Sequence, residues 1–276
     1  MTNFLESPTF IPKETWLSKE VGVVVEKCLK FHNQFDKKLN LPASYHNDFH
    51  IKATLASSQL LMRAAIDEGN DPLGLVRDLD LWNSKYPDNF IEKNELENIL
   101  KLAFSCHDLG NIANVPKIID GKINLLFLPK YKAEGAEERS GQIAQKLIRL
   151  MNISEKEKQR ILHLVLHLIR ETKYTQEKEG AFGQFVRVVD QIGGNLFSEN
   201  KDKERGLLIE MKGETPSMEF NPYVFYNFVR ARFPQLVQDE KSREAILGIW
   251  DKQLPDQNLK YKNESIPVIR FLAEFC

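Results

Sequence analysis

"YHNDFHIKATLASSQLLMRAAIDEG", Tyr45–Gly69, follows a chain-breaking Pro42 and is rich in Ala, Leu and Met, residues of high helix propensity. Gly69 stands where a left-handed C-terminal cap is wanted. As one helix, the stretch places His46 and His50 on the same face, because residues four apart are neighbours on a helix surface. Two imidazoles aimed in one direction are half of a metal site. Taken alone, such a pair reads more readily as surface or satisfied core histidines than as ligands.

Outward from that helix, apolar residues recur mostly at three- and four-residue spacings, with few period-two runs between turn signals. The fold class read from this pattern is all-α. A first helix runs through "ETWLSKEVGVVVEKCLKFHNQF", where the β-branched "VGVVV" is the one place at which a strand competes. A further helix, "EKNELENILKLAFSCHDLG", ends at His107-Asp108, with Gly110 read as the left-handed stop and Pro116 barring resumption. After a loop around "GKINLLFLPK" come "AEGAEERSGQIAQKLIRLMN" and, opened by the capping box Ser154-x-x-Glu157, "EKEKQRILHLVLHLIRE", apolar nearly all round and therefore buried. "GQFVRVVDQIGG" is a short helix with Asp190 near its end. "NPYVFYNFVRARF", "EAILGIWDKQL" and "IPVIRFLAEF" complete the helical set. No repeat, low-complexity tract or long linker divides the chain, so residues 1–276 are read as a single domain.

Composition narrows the function. With 38 Lys+Arg against 39 Asp+Glu the formal net charge is −1, so no positive field gathers nucleic acid or an anionic membrane. Three cysteines at unrelated spacings are an odd number with no CxxC clip. They read as reduced thiols of a cytoplasmic protein. "ILHLVLHLI" is too short to span a bilayer. The aromatic stripe "NPYVFYNFVRARFPQL" is assigned to packing in the core or at a subunit contact.

An aspartate in the apolar setting "LAFSCHDLG" is costly to bury unless a cation partners it. His107 and Asp108, adjacent in sequence, grip one ion only if it lies near the end of their helix. Asp190 closes the apolar "FVRVVD", with a salt bridge to Arg187 as its structural alternative.

In this order "YHNDFH", "CHDLGN" and "VVDQIG" resemble the H…HD…D signature of the HD-domain metal-dependent phosphohydrolases, over roughly residues 41–200. The resemblance implies an HD-domain, PDEase-like helical bundle with additional C-terminal helices. It implies that His50, His107, Asp108 and Asp190 hold a divalent metal ion, with Mn, Fe, Ni, Zn and Mg all compatible with a mixed N/O donor set. His46 matches the residue that protonates the leaving oxygen in the related cyclic-nucleotide phosphodiesterases. The implied reaction is hydrolysis of a phosphate ester or phosphoanhydride of a small phosphorylated substrate, such as a nucleotide, by a metal-activated water. A non-catalytic nucleotide- or metal-binding regulatory module and a cyclic-nucleotide phosphodiesterase are the alternatives.

The chain departs from the pattern at Asn111, where several two-metal relatives carry a histidine. Glu134, Glu137, Glu138, His163 and His167 are the candidate replacement donors. His167 and Glu134 are also the candidates to stand behind the ligands or face the phosphate. His163 is read as a core histidine bonded to a backbone carbonyl, and His32 as a solvated helix residue.

Overall fold

A computed structural model describes residues 16–39, 48–119, 122–130, 132–173, 180–194 and 223–257. Those residues are mostly helical, with one two-stranded hairpin. His46 and the segment "IPVIRFLAEF" lie outside them.

Helix α1, Trp16–Leu39, contains the β-branched run. Tertiary packing overrides its strand propensity. Val21, Val24, Cys28, His32 and Phe35 recur at helical spacing and are all buried. His32 is thus a core residue, 1% exposed, because it falls on the apolar stripe that Cys28 and Phe35 define; the solvated reading is corrected.

Helix α2, Asp48–Asp67, is buried along most of its length. Between His50 and Ala65 its exposed residues are Lys52 and Arg63 alone. Small residues such as Ala53, Thr54, Ser57 and Ala64 let its neighbours approach. Gly69, φ +69°, follows its last turn, and the Asn70 N–H bonds back to the Ala64 carbonyl at 2.8 Å.

Helix α3, Leu75–Lys85, is absent from the helices expected from the sequence. It is started by the Asp71 carboxylate, which accepts from Leu75 N at 2.7 Å and Val76 N at 2.9 Å.

Helix α4, Lys93–Cys106, opens on a reciprocal capping box of Glu92 and Glu95. It does not end on a left-handed glycine, since Gly110 keeps a negative φ. The ladder instead breaks at His107-Asp108 and restarts as the single turn α5, Leu109–Ile112. Gly110 is required for a different reason. A Cβ there would overlap the Ala136 carbonyl of helix α6, Ala136–Arg149.

Strands β1, Ala113–Ile119, and β2, Lys122–Phe127, form an antiparallel hairpin where the sequence reading expects a loop. Leu125 turns inward, Asn124 and Leu126 outward, and Phe127 meets Phe35 of α1 at 5.9 Å. The run Ile123–Phe127, apolar but for Asn124, reads ambiguously by periodicity, and pairing with β1 decides it.

Helix α7, Glu155–Glu171, has the expected Ser154/Glu157 capping box, and none of residues 161–169 is exposed. Arg160 clasps both Glu95 oxygens and so ties α7 to α4. Helix α8, Gly183–Arg187, runs into a π-helical turn, Val188–Gly193. Helices α9, Tyr223–Leu236, and α10, Glu240–Gln257, pack on that turn and on α2 through Phe233 and Trp250, both fully buried. One connected apolar core joins all these elements.

Two glycine substitutions separate packing from propensity. Gly22→Ala, in an exposed part of α1 with open space around a new Cβ, should stabilise by roughly 0.5–1 kcal/mol. Gly110→Ala should destabilise by about 1–3 kcal/mol or more. Urea midpoints of the two variants against the parent chain check both signs.

Candidate metal centre

Three segments far apart in sequence deliver the polar cluster. His50 stands in the first turn of α2, His107 and Asp108 at the break between α4 and α5, and Asp190 on the π-helical turn. Gly193 and Gly194 bring that turn against α2. A Cβ on Gly193 would strike Ser57, and one on Gly194 would crowd His50 and Thr54.

The donor atoms converge. His50 Nε2 lies 3.0 Å from Asp190 Oδ1 and 3.5 Å from Asp108 Oδ2. His107 Nε2 lies 3.1 Å from Asp190 Oδ1 and 3.0 Å from Asp108 Oδ2. Ligands about 2.1 Å from a common ion stand about 3.0 Å apart at octahedral angles and about 3.4 Å apart at tetrahedral ones. His50, His107 and Asp190 therefore have the spacing of a coordination shell, with ligand atoms within 4.8 Å of one another, and Asp108 stands beside them through its contacts to the two imidazoles.

Hydrogen bonding fixes what His107 can do. Its Nδ1 is 2.7 Å from the Phe104 carbonyl, which only accepts, so Nδ1 carries a proton and donates it. Nε2 then faces two anionic oxygens. A bare lone pair there is repelled, so a proton or a metal cation must occupy the space between. A divalent ion also balances the two carboxylates with both imidazoles neutral, which suits a site where His50, His107 and Asp108 are nearly inaccessible to water.

Without metal, the proton takes that place. Burial opposes charge on His107 more than any other single influence, yet the Asp108 and Asp190 carboxylates together hold its pKa well above 6.5. Asp190 is likewise pushed up by burial but drawn down to about 2 by His107 and then His50.

Asn111, unable to ligate through its amide nitrogen, donates from Nδ2 to Asp108 Oδ1 at 3.1 Å. Arg187 does not compete for Asp190 in these contacts; its Nε bonds to the Gly183 carbonyl.

Other sequence candidates are elsewhere. His167 donates to the Ala181 carbonyl at 2.8 Å and stacks on Trp82, its ring centroid 5.0 Å away. His163 meets Trp82 and Tyr86 and accepts from the Asn89 side chain at 3.2 Å, in place of the expected backbone carbonyl. Glu134 is exposed, and its carbonyl accepts from Arg139. Glu137 and Glu138 line a cavity of about 220 Å³ with Leu166 and Arg170, between α6 and α7.

Ser140, a residue the sequence reading leaves unassigned, bonds directly to the His107-Asp108 turn. Its one signal is a hydroxyl on the apolar seam of Ala136, Ile143, Ala144 and Leu147. Compared with protein-family models, curated proteins and solved structures, the chain matches none.

The pH dependence follows with opposite signs on the two sides. Asp190, depressed when folded, contributes stability that is full above about pH 4 and lost as pH falls towards 2. His107, raised when folded, contributes stability that is full below about pH 6.5 and lost as pH rises through its elevated pKa. Thermal midpoints in chelator should therefore decline on both sides of that window. Added metal should reverse the alkaline decline and release a proton on binding, measured by calorimetry in buffers of different ionisation enthalpy. A chelated midpoint that stays flat above pH 6.5, with no proton released, would contradict this electrostatic account.

Proposed function

We propose that this chain is a metal-dependent phosphohydrolase that cleaves a phosphate ester or phosphoanhydride of a small phosphorylated substrate, a nucleotide among the candidates. The observation that carries the reading is the convergence of His50, His107 and Asp190 on one ion-sized space, with Asp108 3.0 Å from His107 Nε2 and 3.5 Å from His50 Nε2, together with their H…HD…D order. No helix among the described residues is long and apolar enough to cross a membrane.

When bound, a divalent ion lowers the pKa of water towards about 7 and neutralises charge on phosphoryl oxygens. The chain's own residues do the rest. Phe104 fixes the His107 tautomer so that Nε2 faces the ion. The carboxylates of Asp108 and Asp190 supply compensating negative charge. His46, four residues before His50 in sequence, carries the proton for the leaving oxygen, since imidazoles as a class ionise near enough to neutral pH to give one.

Asn111 supports a single ion. Its amide occupies Asp108 Oδ1, the oxygen a bridging carboxylate would need for a second metal. Release of free phosphate would fit a monoester or anhydride substrate, whereas release of a nucleoside monophosphate from a cyclic nucleotide would identify a phosphodiesterase.

The test is metal content and turnover measured together. The parent chain should hold one divalent ion and hydrolyse an aryl phosphate or a nucleotide. His107→Ala and Asp108→Ala should lose both, with turnover down by more than the 10–100-fold typical of residues behind the ligands. Full turnover in either variant would contradict the proposal. Metal without turnover on a broad nucleotide panel would make the chain a binding module.

A further inference from the structure

We propose that Ser140 is a positioning residue for the metal centre, an inference that rests on the metal reading above. Its hydroxyl sets the backbone of the His107-Asp108 turn and through it the aim of both ligands. Ser140 lies on α6 and is fully buried. Its Oγ accepts from the Gly110 N–H at 2.8 Å and donates to the His107 carbonyl at 2.5 Å. One hydroxyl thus bonds the backbone on both sides of Asp108, which sits at φ −99° and ψ −3°, where the ladder of α4 stops and that of α5 begins.

A serine inside a helix usually turns its hydroxyl to its own preceding turn; Ser140 bonds across to another segment instead. Its neighbour Arg139 works on the same turn. Arg139 Nε donates to the Gly110 carbonyl at 2.8 Å, while its two Nη atoms bond the Glu134 and Lys132 carbonyls. Helix α6 thereby clamps the ligand turn without contributing a ligand. The missing Cβ at Gly110 lets the two backbones come close enough for this. Alanine at 140 would nearly conserve volume and strand an N–H and a carbonyl in the interior, so the turn must shift to repair them.

Outer partners of ligand residues typically govern metal affinity by 10–100-fold. The experiment is cobalt(II) titration of the full chain, reading the dissociation constant by chelator competition and the geometry by the visible d–d absorption. Ser140→Ala should weaken cobalt binding by at least about ten-fold and change the absorption band. Ile143→Val, on the same buried face of the helix but with no hydrogen-bonding group to offer the turn, is the stability control: its thermal midpoint should fall while affinity and spectrum stay at parental values. If Ser140→Ala fails to fold, Ser140→Cys, of similar size and poor hydrogen bonding, should show the same weakening. Parental affinity and spectrum in the Ser140 variant would overturn this inference and leave the metal reading standing. A parent chain that binds no cobalt would overturn both.

Discussion

The structure depends on one imidazole nitrogen. His107 Nε2 stands about equally far from two carboxylates while its ring partner Nδ1 is committed to the Phe104 carbonyl. That arrangement cannot hold as a neutral ring facing two anions in a dry interior. A positive charge must sit at the centre, and whether it is a proton or a metal ion decides what the protein is. The two states exclude each other, because a ligand imidazole must give up its proton. The upward shift of the His107 pKa has the same cause: the Asp108 and Asp190 carboxylates together outweigh the burial that opposes charge there.

Much of the fold serves to bring three segments to that point. The small residues of α2 let α4 and the π-helical turn pack closely against it. Gly193 and Gly194 remove the side chains that would hold Asp190 away from His50. A π-helical turn rotates and lengthens the register locally, and such turns are frequent at functional sites; here it carries Asp190 itself. On the other flank, Gly110, Ser140 and Arg139 lock the ligand turn to α6. Removal of bulk is as important as placement of polar groups.

Helix period and capping were legible in the sequence because both are local. The Ser154/Glu157 box, the Gly69 stop and α7 from Glu155 to Glu171 follow from residues within a turn or two of one another. The hairpin was not legible, since the apolar run Ile123–Phe127 becomes a strand through its partner strand rather than by its own pattern. Gly110 was marked as special for the wrong reason: its constraint is the carbonyl of Ala136, which no local rule contains. For the site, the resemblance carried by residue order implied His50, His107, Asp108 and Asp190; the structure sets His50, His107 and Asp190 within 4.8 Å of one another and Asp108 3.0 Å from His107. The positions of His163 and His167 turn on Trp82, on a helix the periodicity did not single out. Ser140 had no pattern of its own, as its partners are backbone groups some thirty residues earlier.

The most direct test is anomalous diffraction from crystals of the chain grown with manganese or zinc, collected on both sides of the metal absorption edge. The account predicts one strong anomalous peak about 2.1 Å from His50 Nε2, His107 Nε2 and an oxygen each of Asp108 and Asp190. No peak at that position, with the imidazoles and carboxylates hydrogen-bonded directly at about 3 Å, would show that a proton rather than a metal ion holds the centre.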